Sequence, residues 1–90
     1  MPYVLIAKDK PGALETRKQN REAHLAYVAE TGVVTLGGPF LDDEGAMCGS
    51  LMVLDLPDRA AVEAWAEGDP YAKAGLFASV EISDWKKVIG

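Results

Sequence analysis

One histidine, two arginines and a distant aspartate carry most of the chemistry this 90-residue chain can offer. His24 is its one imidazole, and a group that titrates near neutrality suits proton transfer. Asp69 follows a later helix. A carboxylate there, on the side of a sheet that also carries His24, can accept the Nδ1 proton and fix the tautomer. The same aspartate, followed by Pro70 after a glycine stop, also suits a plain helix N-cap, and both readings stand on the sequence alone.

Arg17 and Arg21 share a helix with His24. Leu14, Leu25, Val28 and Ala29 form an apolar face at helical spacing, and Arg21 projects from its middle with Arg17 and His24 at the edge. A charge in a core position needs a partner or water. The cluster therefore predicts a polar pocket beside the core, in which a guanidinium binds either an anionic substrate group or a carboxylate of the protein, the second being the commoner arrangement. Gly37-Gly38-Pro39 lets the backbone approach a ligand, or makes a tight strand exit. Ser50 either reaches the pocket or satisfies a strand end. Tyr71 lines the site beside Asp69, or joins Trp65, Phe77 and Trp85 as a core or interface aromatic. No Gly-Lys-Ser/Thr follows the glycines, so they are not a phosphate loop, and with no Gly-x-Ser-x-Gly elbow and no partner spacing for a serine or cysteine nucleophile, hydrolysis through a covalent intermediate is disfavoured. With one histidine and one cysteine, Cys48, there is no recognisable metal-ligand set.

These residues need a scaffold. Tyr3 to Ala7 is short, apolar and closed by Lys8-Asp9-Lys10-Pro11-Gly12, so it reads as a strand. A helix follows from Ala13 to about Glu30, stopped by Gly32. Val33 to Gly37 is a second strand ending at Gly38-Pro39, an acidic turn spans Leu41 to Gly45, and Gly49 to Leu56 is a third strand. Asp58 caps a second helix that Gly68 ends. Asp69-Pro70 opens a short turn, and Phe77 to Val88 is the last strand, with a bulge expected near Ser83-Asp84. The order βαββαβ is that of a ferredoxin-like α+β sandwich, with two helices on one face of a four-stranded antiparallel sheet. Strand alternation makes both sheet faces apolar, and helices cover only one, so a face-to-face homodimer is expected, the alternative being that loops or the C-terminal residues cover the second face.

Composition sets outer limits. The length fits a single domain, residues 1–90, with a small core. The net charge is −5, with Asp42-Asp43-Glu44 in a row and no basic stripe, which disfavours nucleic acid and anionic membranes as partners. The N-terminal segment is unlike a secretory signal, no run is long enough to span a bilayer, and the lone cysteine suits a reducing compartment; a cytoplasmic protein is expected.

Taken together, Arg17-x3-Arg21-x2-His24-Leu25, Gly38-Pro39, Gly49-Ser50, and Ala64-Trp65-x3-Asp69-Pro70-Tyr71-x2-Ala74-Gly75-Leu76-Phe77 with a closing Trp85-Lys86-Lys87-Val88 resemble the YciI-like proteins of the dimeric α/β-barrel superfamily. The resemblance covers essentially the whole chain, though the acidic loop at Asp42 to Gly45 is shorter than in some relatives. It implies a ferredoxin-like protomer, a sheet-to-sheet homodimer that can assemble further, and a site centred on a His24–Asp69 pair. A relative is a dehydrochlorinase acting on a chlorinated hydroxyquinol, and related barrels include muconolactone isomerase and cofactor-free monooxygenases. The expectation is a cofactor-independent enzyme of lyase or isomerase type acting on a small organic molecule. His24 and Asp69 would be catalytic, with Arg17, Arg21, Gly38, Pro39, Ser50 and Tyr71 around the substrate. The rival is a non-catalytic binding or interaction module of the same fold, and a third reading is an oxygen-using monooxygenase.

Overall fold

The computed structural model describes residues 2–90. Along the chain run β1 (Pro2–Asp9), α1 (Leu14–Thr31), β2 (Val34–Leu41), β3 (Met47–Asp55), α2 (Arg59–Gly68), α3 (Pro70–Lys73) and β4 (Phe77–Asp84). The strands lie in the order β2-β3-β1-β4, each antiparallel to its neighbours. With the helices packed on one face, this is the ferredoxin-like α+β fold that the order of elements implied.

The two-residue period of the strands decides which side chains meet the helices. Tyr3, Leu5 and Ala7 of β1 lie opposite Leu54, Met52 and Ser50 of β3. All six are buried, and all but Ser50 form the core with Val62 and Trp65 of α2, with Tyr27 and Val28 of α1 packed against it. On the other face Val4 opposes Val53, Ile6 opposes Leu51, and Leu36 follows on β2. No helix packs on that side, where Leu36 is 64% exposed, Val4, Ile6 and Leu51 are half-buried and Val53 is buried.

The helix ends obey their local chemistry. Gly32 takes the left-handed conformation, φ 65°, and returns its N–H to the Val28 carbonyl, while Asp58 accepts the Ala61 N–H at 2.8 Å. The rotation of α1 about its axis is set at its far end. Tyr27 donates its hydroxyl to the Trp65 carbonyl at 2.8 Å, and the Trp65 indole N–H donates to Thr31 Oγ1 at 2.9 Å. A Cβ on Gly68 would come within 2.5 Å of the Tyr27 hydroxyl, so the end of α2 must be bare there.

Two strand expectations are corrected. β2 does not stop at Gly38-Pro39 but runs on to Leu41, with Pro39 opposite Ser50. An edge strand has a free side on which a proline costs no ladder bond. β4 ends at Asp84 without a bulge at Ser83-Asp84: the register runs unbroken from Tyr3–Asp84 to Lys8–Ser79, and the irregularity sits at the opposite end, beside Asp9. Trp85 and Val88 lie beyond the strand, so their phase never had to match that of Val80 and Ile82. Among the described residues no helix is long and apolar enough to cross a membrane.

Candidate active site

The stripe of α1 that meets the sheet is not the leucine face. Arg17 and His24 are the buried residues of this helix, at 2% and 8% exposure, whereas Arg21 is exposed and Leu25 is 46% exposed. The expectation that Arg21 occupies the middle of the packed face is therefore wrong, and Arg17 holds that place. Successive residues turn by about 100°, so the true stripe, Arg17, His24 and Val28, lies most of one residue step from the leucine-centred one. α1 carries only two leucines, too few to fix its phase, and the contacts of Tyr27 and Thr31 with Trp65 fix it instead.

Burying Arg17 demands a counter-charge, and Asp9 at the end of β1 supplies it. Arg17 Nε donates to Asp9 Oδ2 at 2.7 Å and Nη2 to Oδ1 at 2.8 Å, a two-pronged pair almost closed to solvent. Nη2 also donates to Ser50 Oγ at 2.9 Å. Burial works against the guanidinium charge, but the hydrogen bond and attraction of Asp9 outweigh it, and the Arg17 pKa rises above its ordinary value. Asp9 is the site residue that sequence reasoning missed. A signal was present, because Asp9 continues the phase of Tyr3, Leu5 and Ala7 and so must face the helices.

Asp69 serves both readings with one atom. Its Oδ1 accepts the Tyr71 N–H at 3.0 Å, capping α3, and lies 2.8 Å from His24 Nδ1. The carboxylate is 1% exposed. A carboxylate acceptor calls for a proton on Nδ1, so in the neutral ring Nε2 carries the lone pair, and among the described residues Nε2 has no hydrogen-bond partner. The His24 ring stacks on Tyr71 with centroids 4.1 Å apart and planes 14° from parallel. Phe77 meets Tyr71 edge-on at 6.0 Å, and the Arg17 guanidinium lies 4.6 Å from the Tyr71 ring centroid. Asp69, His24, Tyr71, Arg17 and Asp9 thus form one continuous column. Burial raises the Tyr71 phenol pKa above 10.0 and Asp69 adds to this, against the opposing pull of Arg17 and Arg21. The hydroxyl is therefore uncharged at neutral pH.

The column borders a cavity of about 270 Å³ between α1 and the β2–β3 side of the sheet. An apolar cavity of about 150 Å³ holds a benzene molecule, so this one accommodates a single substituted ring. Arg17, Arg21, His24, Gly38, Pro39, Ser50 and Tyr71 all line it, so each of these sequence-selected positions meets the others here, while Asp69 stands behind His24. Val28, Val34, Met47 and Met52 add apolar wall. Among the described residues Arg21 has no ion pair, and no three His, Cys, Asp or Glu side chains cluster. The arrangement offers one basic nitrogen, one unneutralised guanidinium and a stacked aromatic surface around a ring-sized space.

Comparison with known proteins gives this site a context. The model of the YCII-related domain matches residues 1–86. An uncharacterised protein of Haemophilus influenzae is 38% identical over an alignment of 97 positions that covers 98% of this chain and 99% of that protein. Among solved structures, 5-chloro-2-hydroxyhydroquinone dehydrochlorinase (TftG) from Burkholderia phenoliruptrix, in complex with 2,5-dihydroxybenzoquinone, superposes with a TM-score of 0.88. It shares 36% identity, with 96% of this chain and 94% of that one covered. An antibiotic biosynthesis monooxygenase superposes at a TM-score of 0.58 with 14% identity over 97% of this chain and 100% of that one, a likeness of fold alone.

Proposed function

We propose, starting from the fact that this chain belongs to the YCII-related domain family, that it is a cofactor-independent enzyme in which His24 moves a proton on a small, oxygenated ring compound. One observation carries this reading. The His24 ring is held at Nδ1 by a buried carboxylate 2.8 Å away, Nε2 has no hydrogen-bond partner among the described residues, and the residue lines a ring-sized pocket. In the proposed reaction Nε2 takes a proton from a C–H or O–H of the substrate. Asp69 holds the tautomer and stabilises the imidazolium that forms. Arg21, the cation without a protein partner, receives the oxygen on which charge develops, because Arg17 is already committed to Asp9. The chemistry is of lyase or isomerase type. The dehydrochlorinase relative makes a chlorinated hydroxyquinol the first substrate to try.

The test is direct. Purified protein given 5-chloro-2-hydroxyhydroquinone is expected to release chloride, and His24→Ala to lose about 10²–10⁴-fold of that rate, the usual weight of one positioned acid–base group. Binding of the quinol without release, or a His24→Ala variant as fast as wild type, would reject the proposal in favour of a binding module.

The protomer is also proposed to pair through its open sheet face. Val4, Ile6 and Leu51, half-buried in the protomer, flank the buried Val53 in an apolar band across β1 and β3 that the exposed Leu36 extends on β2, and apolar surface of this kind on a small protein is usually covered. Leu51→Glu, on the open face and away from the pocket, is expected to convert the dimer to monomer in sedimentation velocity while leaving the circular dichroism unchanged. A variant that stays dimeric would move the interface elsewhere. The lone, half-buried thiol of Cys48 accords with a cytoplasmic setting.

A further inference from the structure

The buried Arg17–Asp9 pair is an expensive way to fill a core. Apolar residues of similar volume at such places are commonly as stable or more so, so a buried ion pair kept at the wall of a pocket calls for a reason other than stability. The reason is legible in its third hydrogen bond. Arg17 Nη2 donates to Ser50 Oγ at 2.9 Å, and Ser50 is 4% exposed and lines the pocket. A hydroxyl has one proton and two lone pairs. With a guanidinium fixed on its oxygen, Ser50 cannot turn its proton back toward Arg17, and no acceptor for that proton is found among the described residues. The cation also polarises the O–H bond, which strengthens it as a donor.

We infer that Ser50 is a hydrogen-bond donor to a ligand oxygen, and that Asp9 and Arg17 are positioning residues that make it one. The inference rests on the proton-transfer reading and deepens it. Arg17 and His24 are seven residues apart on one face of α1, about 10 Å along the helix, with the Tyr71 ring between them. The pocket therefore has a hydrogen-bond acceptor, Nε2, toward one end and a donor, Ser50, toward the other. This selects a planar molecule with an acidic hydrogen at one end and a carbonyl, enol or phenol oxygen well separated from it. When Nε2 takes the proton, the bonding electrons stay on the ligand and delocalise onto that oxygen. The Ser50 hydroxyl then meets, together with the Arg21 guanidinium, growing negative charge, as a donor in an oxyanion hole does.

The experiment compares wild type, Ser50→Ala, Arg17→Lys and the double variant. Arg17→Lys keeps a cation for Asp9 but loses the fork that reaches Ser50. Two probes are used: 2,5-dihydroxybenzoquinone, followed by its visible band, and chloride release from 5-chloro-2-hydroxyhydroquinone. Ser50→Ala is expected to weaken quinone binding about tenfold and to lower kcat by roughly 10²-fold with a smaller change in KM, the weight of one oxyanion donor. Arg17→Lys should reproduce most of both effects, and the double variant should be no worse than the worse single, because the two act as one unit. Ser50→Ala binding the quinone as wild type does, or effects that multiply in the double variant, would overturn the inference. A third arm needs no ligand: the Arg17 Nε–H proton, read by NMR, should exchange far more slowly than that of exposed Arg59, and Ser50→Ala should accelerate it. A wild type that ignores both probes but keeps this protected, Ser50-dependent proton rejects the choice of substrate and supports the positioning unit. An unprotected proton rejects the unit itself.

Discussion

Replacing Asp69 with asparagine is expected to leave the protein folded and to lower turnover by about 10⁴-fold. The two halves of that expectation come from the two bonds made by one oxygen. Asparagine caps helices as well as aspartate does, so its side-chain carbonyl can still accept the Tyr71 N–H and the α2–α3 corner should hold. What it cannot supply is a negative charge beside the imidazole, or a group that only accepts. In a serine protease triad the same exchange leaves the geometry in place, yet costs about 10⁴ in kcat through the wrong tautomer. The unfolding midpoint should move little while chloride release from the chlorinated hydroxyquinol falls. If activity survives intact, Asp69 is a cap and nothing more. If stability collapses together with activity, the substitution has failed to separate the roles, and His24→Ala decides alone whether the pair takes part.

The largest effect on stability is expected at Asp9, which lies outside any helix and looks like an ordinary strand end. Asp9→Ala leaves the Arg17 guanidinium, 2% exposed, without its counter-charge, and breaking a buried pair from one side costs about 3–5 kcal/mol. For a chain of this length that is a large share of the total. The companion experiment is the double replacement Asp9→Leu with Arg17→Met, which removes both charges and should recover most of the loss in urea denaturation. A single variant as stable as wild type would mean that water reaches Arg17 and that the column is looser than its distances indicate.

The fold was largely legible in the sequence because its markers are local. Gly32 and Asp58 end and begin helices as their chemistry dictates, and the alternation of Tyr3, Leu5 and Ala7 against Val4 and Ile6 gave the two sheet faces. The errors lie where a long-range contact overrides a local pattern. Two leucines placed the buried face of α1 at Arg21, whereas Trp65, far along the chain, turns the helix so that Arg17 is buried. Gly38-Pro39 looked like a strand end because nothing local says that β2 is an edge. For the site, His24, Asp69, Arg17, Ser50 and Tyr71 could be nominated by type, but which carboxylate meets which cation depends on strand register. Asp9 reads as part of the turn that closes β1, although its parity with Ala7 points it inward.

The methionine part of the pocket lining has a different character. It includes the half-buried Met47, whose unbranched thioether chain rearranges at little cost, beside the core residue Met52. The molecule is thus stiff where oxygens would be read and pliant where ring substituents would lie. Compounds that share one oxygen pattern but differ in a halogen or a methyl group should be handled with similar efficiency, so discrimination would reside in the hydroxyl arrangement and breadth in the soft sulfur-lined side.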